Sequence, residues 1–537
     1  MRACVRLALL LGVVGASLLS GGETGAAAGT TQRVSVDSAG DEGNSDSLNP
    51  AVSADDRFVA FESSASDLVL QDTNGRIDIF VRGRYIGVTE RVSVSSGGDQ
   101  ATGDSLSPAI SEDGRYVAFS SFATNLVSGD TNLCGTPPLT YNCPDVFVRD
   151  RDTDTDGIFD EAGAVSTTRV SLSSAEAQAN SESWDPAISG DGRYVAFYSA
   201  ASNLVSGDTN NVEDIFVRDR QAGTTTRVSL AGDGNEGNGA SGGWPAVSGD
   251  GRYVAFGSDA SNLVAGDTNA FCDTDGDTQY DDNCADVFVR DRDTDTDGIF
   301  DEAGAVSTTR VSVSSAGAQS NGESYYAAIS ADGRYVAFGS AGSNLVAGDT
   351  NAFCDTDGDT QYDDNCSDVF VRDRQTSTTT RVSLDSAGGQ ADAGSFDPAI
   401  SADGISVAFQ SAATNLVTGD TNAAEDVFLR QAGTTDRVST GSGGAQGNGA
   451  STAPAVSGSG RYVAFESEAT NLVSGDANGV ADVFVHDQLG SVGGIAELPG
   501  VARPSDPDYV PLAGLTAAAL VLLTAGACYA GKRFRRG

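Results

Sequence analysis

The sequence predicts an all-β protein: a seven-bladed β-propeller closed by its N-terminal strand pairing with the last blade, followed by one C-terminal transmembrane helix. Three observations carry this prediction. Glycine is abundant, at 66 residues, aromatics are modest, and short apolar runs recur, as expected of short strands joined by turns. A unit of four short strands is repeated seven times. A strand that precedes the first full unit matches the one that the last unit lacks.

Taken in chain order, residues 1–28 have the layout of a secretory signal peptide. Arg2 and Arg6 precede the apolar run Leu7 to Leu19, and Ala26, Ala27 and Ala28 offer a cleavage site. The body is therefore expected outside the cytoplasm. Its formal net charge of -43, with Lys532 the only lysine, argues against nucleic acid, whose phosphates such a surface repels.

The repeating unit is clearest in residues 186–229. Four strands are read from it: a (187–189), b (193–199), c (214–218) and d (226–229). Asp191-Gly192 supplies a tight a–b hairpin, because glycine accepts positive φ and aspartate tolerates it. Strand b, with Tyr194-Val195-Ala196-Phe197, has no polar break and is expected to be buried on both faces. Strand d recurs at Arg33, Arg91, Arg169, Arg227, Arg310, Arg381 and Arg437, and none follows Asp482. The first copy is thus free to close blade 7. The propeller spans residues 31–487, and here the Ser-x-Asp-Gly hairpin, apolar strand and Asp-Val-Phe-Val strand resemble the TolB-like propeller repeat family. That resemblance implies a fold and leaves the ligand open.

Loops carry the candidate chemistry. Cys134 with Cys143, Cys272 with Cys284, and Cys354 with Cys366 each fall within one b–c insertion, and are expected disulfides outside the cytoplasm. A zinc site is the competing reading, but the single histidine is His486. Inside the second cysteine pair Asp273, Asp275, Asp277 and Asp281, and inside the third Asp355, Asp357, Asp359 and Asp363, have the alternation of a calcium loop. These stretches resemble thrombospondin type 3 calcium repeats. A second acidic loop, in two c–d hairpins, offers Asp152, Asp154, Asp156 and Asp160, and Asp293, Asp295, Asp297 and Asp301. Calcium is the expected cofactor; a solvated acidic turn is the alternative. Asp-x-Asn before strand c, as in Asp208 and Asn210 with Asp214, reads as turn capping without an ion.

Trp184, Trp244, Tyr325, Tyr326 and Phe396 fall at corresponding points of d–a connections, where they are expected at the channel mouth and suit a sugar or an extended peptide. Interblade packing is the alternative. No catalytic residue is assigned, since neither a nucleophile elbow nor a histidine-based metal set is present. After a linker at 488–508, a helix at 509–531, built on the uncharged run Leu512 to Ala530, is expected to span the membrane. The basic residues of the tail, 532–537, keep it cytoplasmic. The resulting expectation is a non-catalytic cell-surface module for an extracellular glycan or protein ligand. A polysaccharide-active hydrolase or lyase is the runner-up.

Overall fold

The computed structural model describes residues 29–136, 139–269, 284–350 and 366–489. Among the described residues there are seven four-stranded antiparallel sheets and one two-stranded ribbon. Blade 1 takes strands a to d from Ser47–Val52, Phe58–Ser63, Asp78–Gly83 and Val88–Arg91. Blade 3 takes Ser183–Ile188, Tyr194–Ser199, Asp214–Asp219 and Thr224–Arg227. The ribbon, Leu133–Thr136 with Leu139–Asn142, stands in the b–c insertion of blade 2.

The ring closes as expected. Blade 7 supplies Ser451–Val456, Tyr462–Ser467 and Asp482–Asp487, and the outer strand is Thr30–Arg33. Thr30 pairs with Asp487 and Arg33 with Phe484, and the Val34 amide donates to the Val483 carbonyl at 2.8 Å. Ladder hydrogen bonds thus join the two ends of the ring, leaving no gap between last and first blade. Val34, Phe61, Tyr462 and Val485 share one of seven interblade apolar clusters.

Why these residues make blades follows from a few repeated contacts. Strand b is buried on both faces because each sheet is sandwiched between two others. In every blade a phenylalanine of b stacks on its cross-strand partner in c, as Phe197 does on Phe216 with ring centroids 6.0 Å apart. The hairpin serine is a second device: Ser189 Oγ donates to Asp191 Oδ1 at 2.7 Å and accepts from the Tyr194 amide at 2.9 Å. Gly192 sits at φ +72, and a Cβ there would come within 2.0 Å of the Tyr116 ring of the preceding blade. The repeated "SGDGRYVAF" therefore encodes both a turn and an interblade contact.

Two boundaries differ from the sequence expectation. Strand a starts four residues earlier than position 187, at Ser183, and strand d spans Thr224–Arg227 rather than 226–229. The early part of strand a was hidden by a β-bulge between Trp184 and Ala187, in which Pro186 interrupts the alternation. Proline is tolerated there because strand a is the inner edge of its sheet. Trp184, Trp244, Tyr325, Tyr326 and Phe396 accordingly lie within strand a, not in the d–a connections.

No helix among the described residues is long and apolar enough to cross a membrane. The expected signal peptide and membrane span lie outside the described residues.

Candidate functional site

Blade 4 departs from the repeat. Its strand a, Ser241–Val247, has seven residues where the others have six, and Gly242 pairs with Gly257 of strand b, Tyr253–Ser258. The same cross-strand position holds Leu48 with Glu62, Trp184 with Tyr198, and Phe396 with Gln410 in other blades. A Cβ at Gly242 or Gly243 would meet no atom within 4 Å, and one at Gly257 only the Gly242 carbonyl oxygen at 3.6 Å. Glycine here removes side chains and leaves room. The result is a cavity of about 520 Å³, with Gly242, Gly243 and Gly257 on blade 4, Tyr325 and Tyr326 on blade 5, and Phe396 on blade 6.

The extra residue also turns Trp244 outward. Gly243 takes φ +64, Trp244 itself φ +30, and the indole is 54% exposed. Trp244 packs on Tyr326 with centroids 5.0 Å apart and planes at 45°; Tyr325 meets Tyr326 edge-on at 4.9 Å and 87°. Three differently oriented rings thus wall one corner. Tyr325 donates or accepts a hydrogen bond with Ser367, and burial pushes its hydroxyl up to about 12. Asp259 and Glu323 complete the lining; burial, then the Asp259 charge, raises the Glu323 carboxyl.

Trp244 and Tyr326 also face a second cavity of about 280 Å³. It is lined by one bulge from each blade: Asn49, Ser107, Asp185, Trp244, Tyr326, Asp397 and Ala453 all have positive φ. Burial, then Glu425 and Glu466, pushes the Asp397 carboxyl up to about 6. In blades 1, 2, 3 and 7 the bulge amide is satisfied by a side chain of the preceding blade, as Ser107 N donates to Glu62 Oε2 at 2.8 Å. Of the five aromatics singled out in the sequence, four therefore line these cavities. Trp184 does not join them: it packs edge-on against Phe122 at 5.1 Å, and its indole donates to Glu182 at 3.1 Å.

The acidic c–d loops divide into two parts. Carboxylate oxygens of Asp152, Asp154 and Asp156 lie within 4.8 Å of one another, as do those of Asp293, Asp295 and Asp297. Oxygen ligands gathered this closely fit a hard cation. Asp160 and Asp301 stand apart from these triplets. Asp160 accepts from Arg151 Nε and Nη2 at 2.8 and 2.6 Å, and Asp301 accepts from Arg292. The neighbouring Phe159 and Phe300 lie 5.2 Å from Phe58 and Tyr194, so half of each loop is an interblade clamp. That packing role was legible only in the apolar residue following Ile158 or Ile299.

The Asp-x-Asn pattern is filled by arginine. Arg227 Nη1 lies 3.1 Å from Asp208 and 2.8 Å from Asp214, while Asn210 Nδ2 donates to Asp214 at 2.9 Å. Every blade repeats this pair of contacts from the arginine of strand d. A guanidinium sits between these carboxylates, and turn capping by asparagine accompanies it.

Cys134 and Cys143 form a disulfide across the blade-2 ribbon. Cys284 and Cys366 are each disulfide-bonded to a cysteine outside the described residues. Cys272 and Cys354 lie outside the described residues, as do Asp273, Asp275, Asp277, Asp281, Asp355, Asp357, Asp359 and Asp363.

No family model matches the sequence, and no curated protein is significantly similar to it. Solved structures similar to this chain include a TolB-type protein of Agrobacterium tumefaciens, at 14% identity and TM-score 0.33, covering 65% of this chain and 83% of that one. TolB from Acinetobacter baumannii is 13% identical with TM-score 0.31, covering 63% and 54%. The β-propeller domain of the Trilobed protease from Pyrococcus furiosus is 11% identical with TM-score 0.44, covering 84% and 99%. These likenesses concern the fold, and none of the neighbours' activities is carried over to this chain.

Proposed function

We propose that this protein is a non-catalytic recognition module carried outside the cell on a C-terminal membrane anchor, with its ligand seated in the glycine-floored cavity of blades 4 to 6. The observation that carries the reading is the Gly242–Gly257 pair. In a sevenfold repeat, one blade has lost the two side chains that would fill this space, and an inserted residue turns a tryptophan out beside it. Concave, aromatic-walled sites with few polar groups are the usual form of ligand pockets. The test is a plug. Gly257→Tyr copies Tyr198 of blade 3 into open space and should abolish binding to whatever an extracellular glycan or protein screen identifies, with the melting temperature unchanged; a plugged chain that binds as before would refute the assignment.

In the same reading, calcium bound by Asp152, Asp154 and Asp156, and by Asp293, Asp295 and Asp297, stiffens the c–d loops. Such an ion supplies charge neutralisation for three converging carboxylates. An ion bound only by the folded state raises the melting temperature in proportion to the logarithm of its concentration above Kd. Calorimetry with calcium and with chelator should therefore differ, and Asp154→Asn with Asp295→Asn should remove the difference.

A second reading has one specific observation in its favour. Asp259 and Glu323 share the cavity, and a carboxylate pair in which one member is raised is the equipment of a glycoside hydrolase. Product release from polysaccharide, lost in Glu323→Gln, would favour it over the binding module.

A further inference from the structure

Resting on the cavity of blades 4 to 6 as the ligand site, we propose that it selects an organic cation: a small ammonium group held in the corner of Trp244, Tyr325 and Tyr326, with Glu323 and Asp259 as counter-charges. Its charged lining is one-signed. Among the described residues, Asp259 and Glu323 are the ionisable carboxylates there, and no arginine, lysine or histidine lines the cavity. Two carboxylates brought together in a half-buried setting repel each other, which is part of why Glu323 is raised, and a bound cation would relieve that repulsion. The aromatic rings add attraction of the same sign, because their faces carry negative electrostatic potential toward a cation within about 6 Å.

Ring geometry separates this ligand from a sugar. A pyranose stacks on a single open ring face, whereas here the planes of Tyr325 and Tyr326 cross at 87° and those of Trp244 and Tyr326 at 45°. Crossed planes enclose a compact group rather than support a flat one. Anionic ligands meet the net charge of -43 as well as the two local carboxylates. With about 520 Å³ available, the cavity holds the ammonium and part of the molecule that carries it.

The experiment uses the purified full-length chain and the fluorescence of Trp244, with calorimetry as a second readout. The probes are choline, N-acetyl-lysine amide and the neutral isostere 3,3-dimethylbutanol. One or both cations should bind saturably, with the neutral isostere at least tenfold weaker. Which cation binds tells a headgroup-like source from a side-chain source. Glu323→Gln should weaken the cation about tenfold without moving the melting temperature, and Trp244→Ala should abolish the signal and the heat.

Equal binding of choline and its neutral isostere, or indifference to Glu323→Gln, would overturn the cation assignment. So would a neutral oligosaccharide that binds and is blocked by Gly257→Tyr while both cations fail; that result would leave the recognition reading standing. A ligand found by screening that Gly257→Tyr does not displace would overturn both.

Discussion

Acid should loosen the seam of the ring through one residue. In six blades the fifth position of strand c is an arginine that donates to a threonine of strand d, as Arg218 Nη1 does to Thr225 Oγ1 at 3.2 Å. In blade 7 that position is His486, the only histidine of the chain. It is 5% exposed, and its Nδ1 shares a 2.8 Å hydrogen bond with Thr31 Oγ1 of the closing strand. The Thr31 hydroxyl in turn donates to the Thr440 carbonyl, so Nδ1 is the donor toward Thr31. Burial depresses the imidazole from 6.5 to about 4, against a smaller opposing effect of Asp487, whose carboxylate Arg461 holds at 2.7 and 2.6 Å.

The unfolded chain therefore binds more protons than the folded one between about pH 6.5 and 4, and stability from this group is present above that window and lost as pH falls through it. A shift of this size corresponds to about 3 kcal/mol. Asp145 and Asp286, each pushed up to about 6 by burial, act in the opposite sense and gain stability as pH falls, so the wild-type profile alone is ambiguous. Comparison with His486→Gln cancels their contribution. Denaturant unfolding of both chains at pH 7 and pH 4 should show the variant gaining about 3 kcal/mol on the wild type across that interval. Parallel profiles, or an imidazole resonance titrating near 6.5 in the folded chain, would refute the reasoning.

Two further perturbations test the blade repeat itself. Asp214→Ala removes the carboxylate that accepts from Ser229 at 2.6 Å, Arg227 at 2.8 Å and Asn210 at 2.9 Å. Leaving that buried guanidinium short of a partner should cost about 3–5 kcal/mol in denaturant unfolding; a loss under about 1 kcal/mol would mean that Asp208 and Glu236, whose Oε1 lies 2.7 Å from Arg227 Nη2, suffice. Gly192→Ala forces a positive-φ residue against Tyr116 and should destabilise by roughly 1–3 kcal/mol from backbone strain alone. Gly207→Ala, also at positive φ but with nothing within 4 Å of its Cβ, should cost less, and the difference measures the interblade contact.

Blade count and closure were legible because each is a property of the chain read along itself. Seven copies of one motif and a displaced strand d need no knowledge of what touches what. The buried arginines were visible as a recurring residue of strand d, yet their partners sit across the c–d ladder and before strand c, so only the register could join Arg227 to Asp208 and Asp214. The cavity was still less accessible. It is made by residues that are missing: Gly242 and Gly257 look like ordinary glycines in a glycine-rich chain until the ladder pairs them, and Tyr325 and Phe396 matter because neighbouring blades bring them to the gap. A strand-interior glycine does carry a local signal of close approach or removed bulk. In a repeat that signal sharpens, because six other copies show what the position ordinarily holds. Comparing blades position by position, rather than searching for a motif, is what locates function in a chain built of copies: the sites lie where one copy stops matching, at the paired Gly242 and Gly257 (blade 5 keeps Tyr325 opposite its Gly339) and at Trp244 for recognition, and at His486 for the seam.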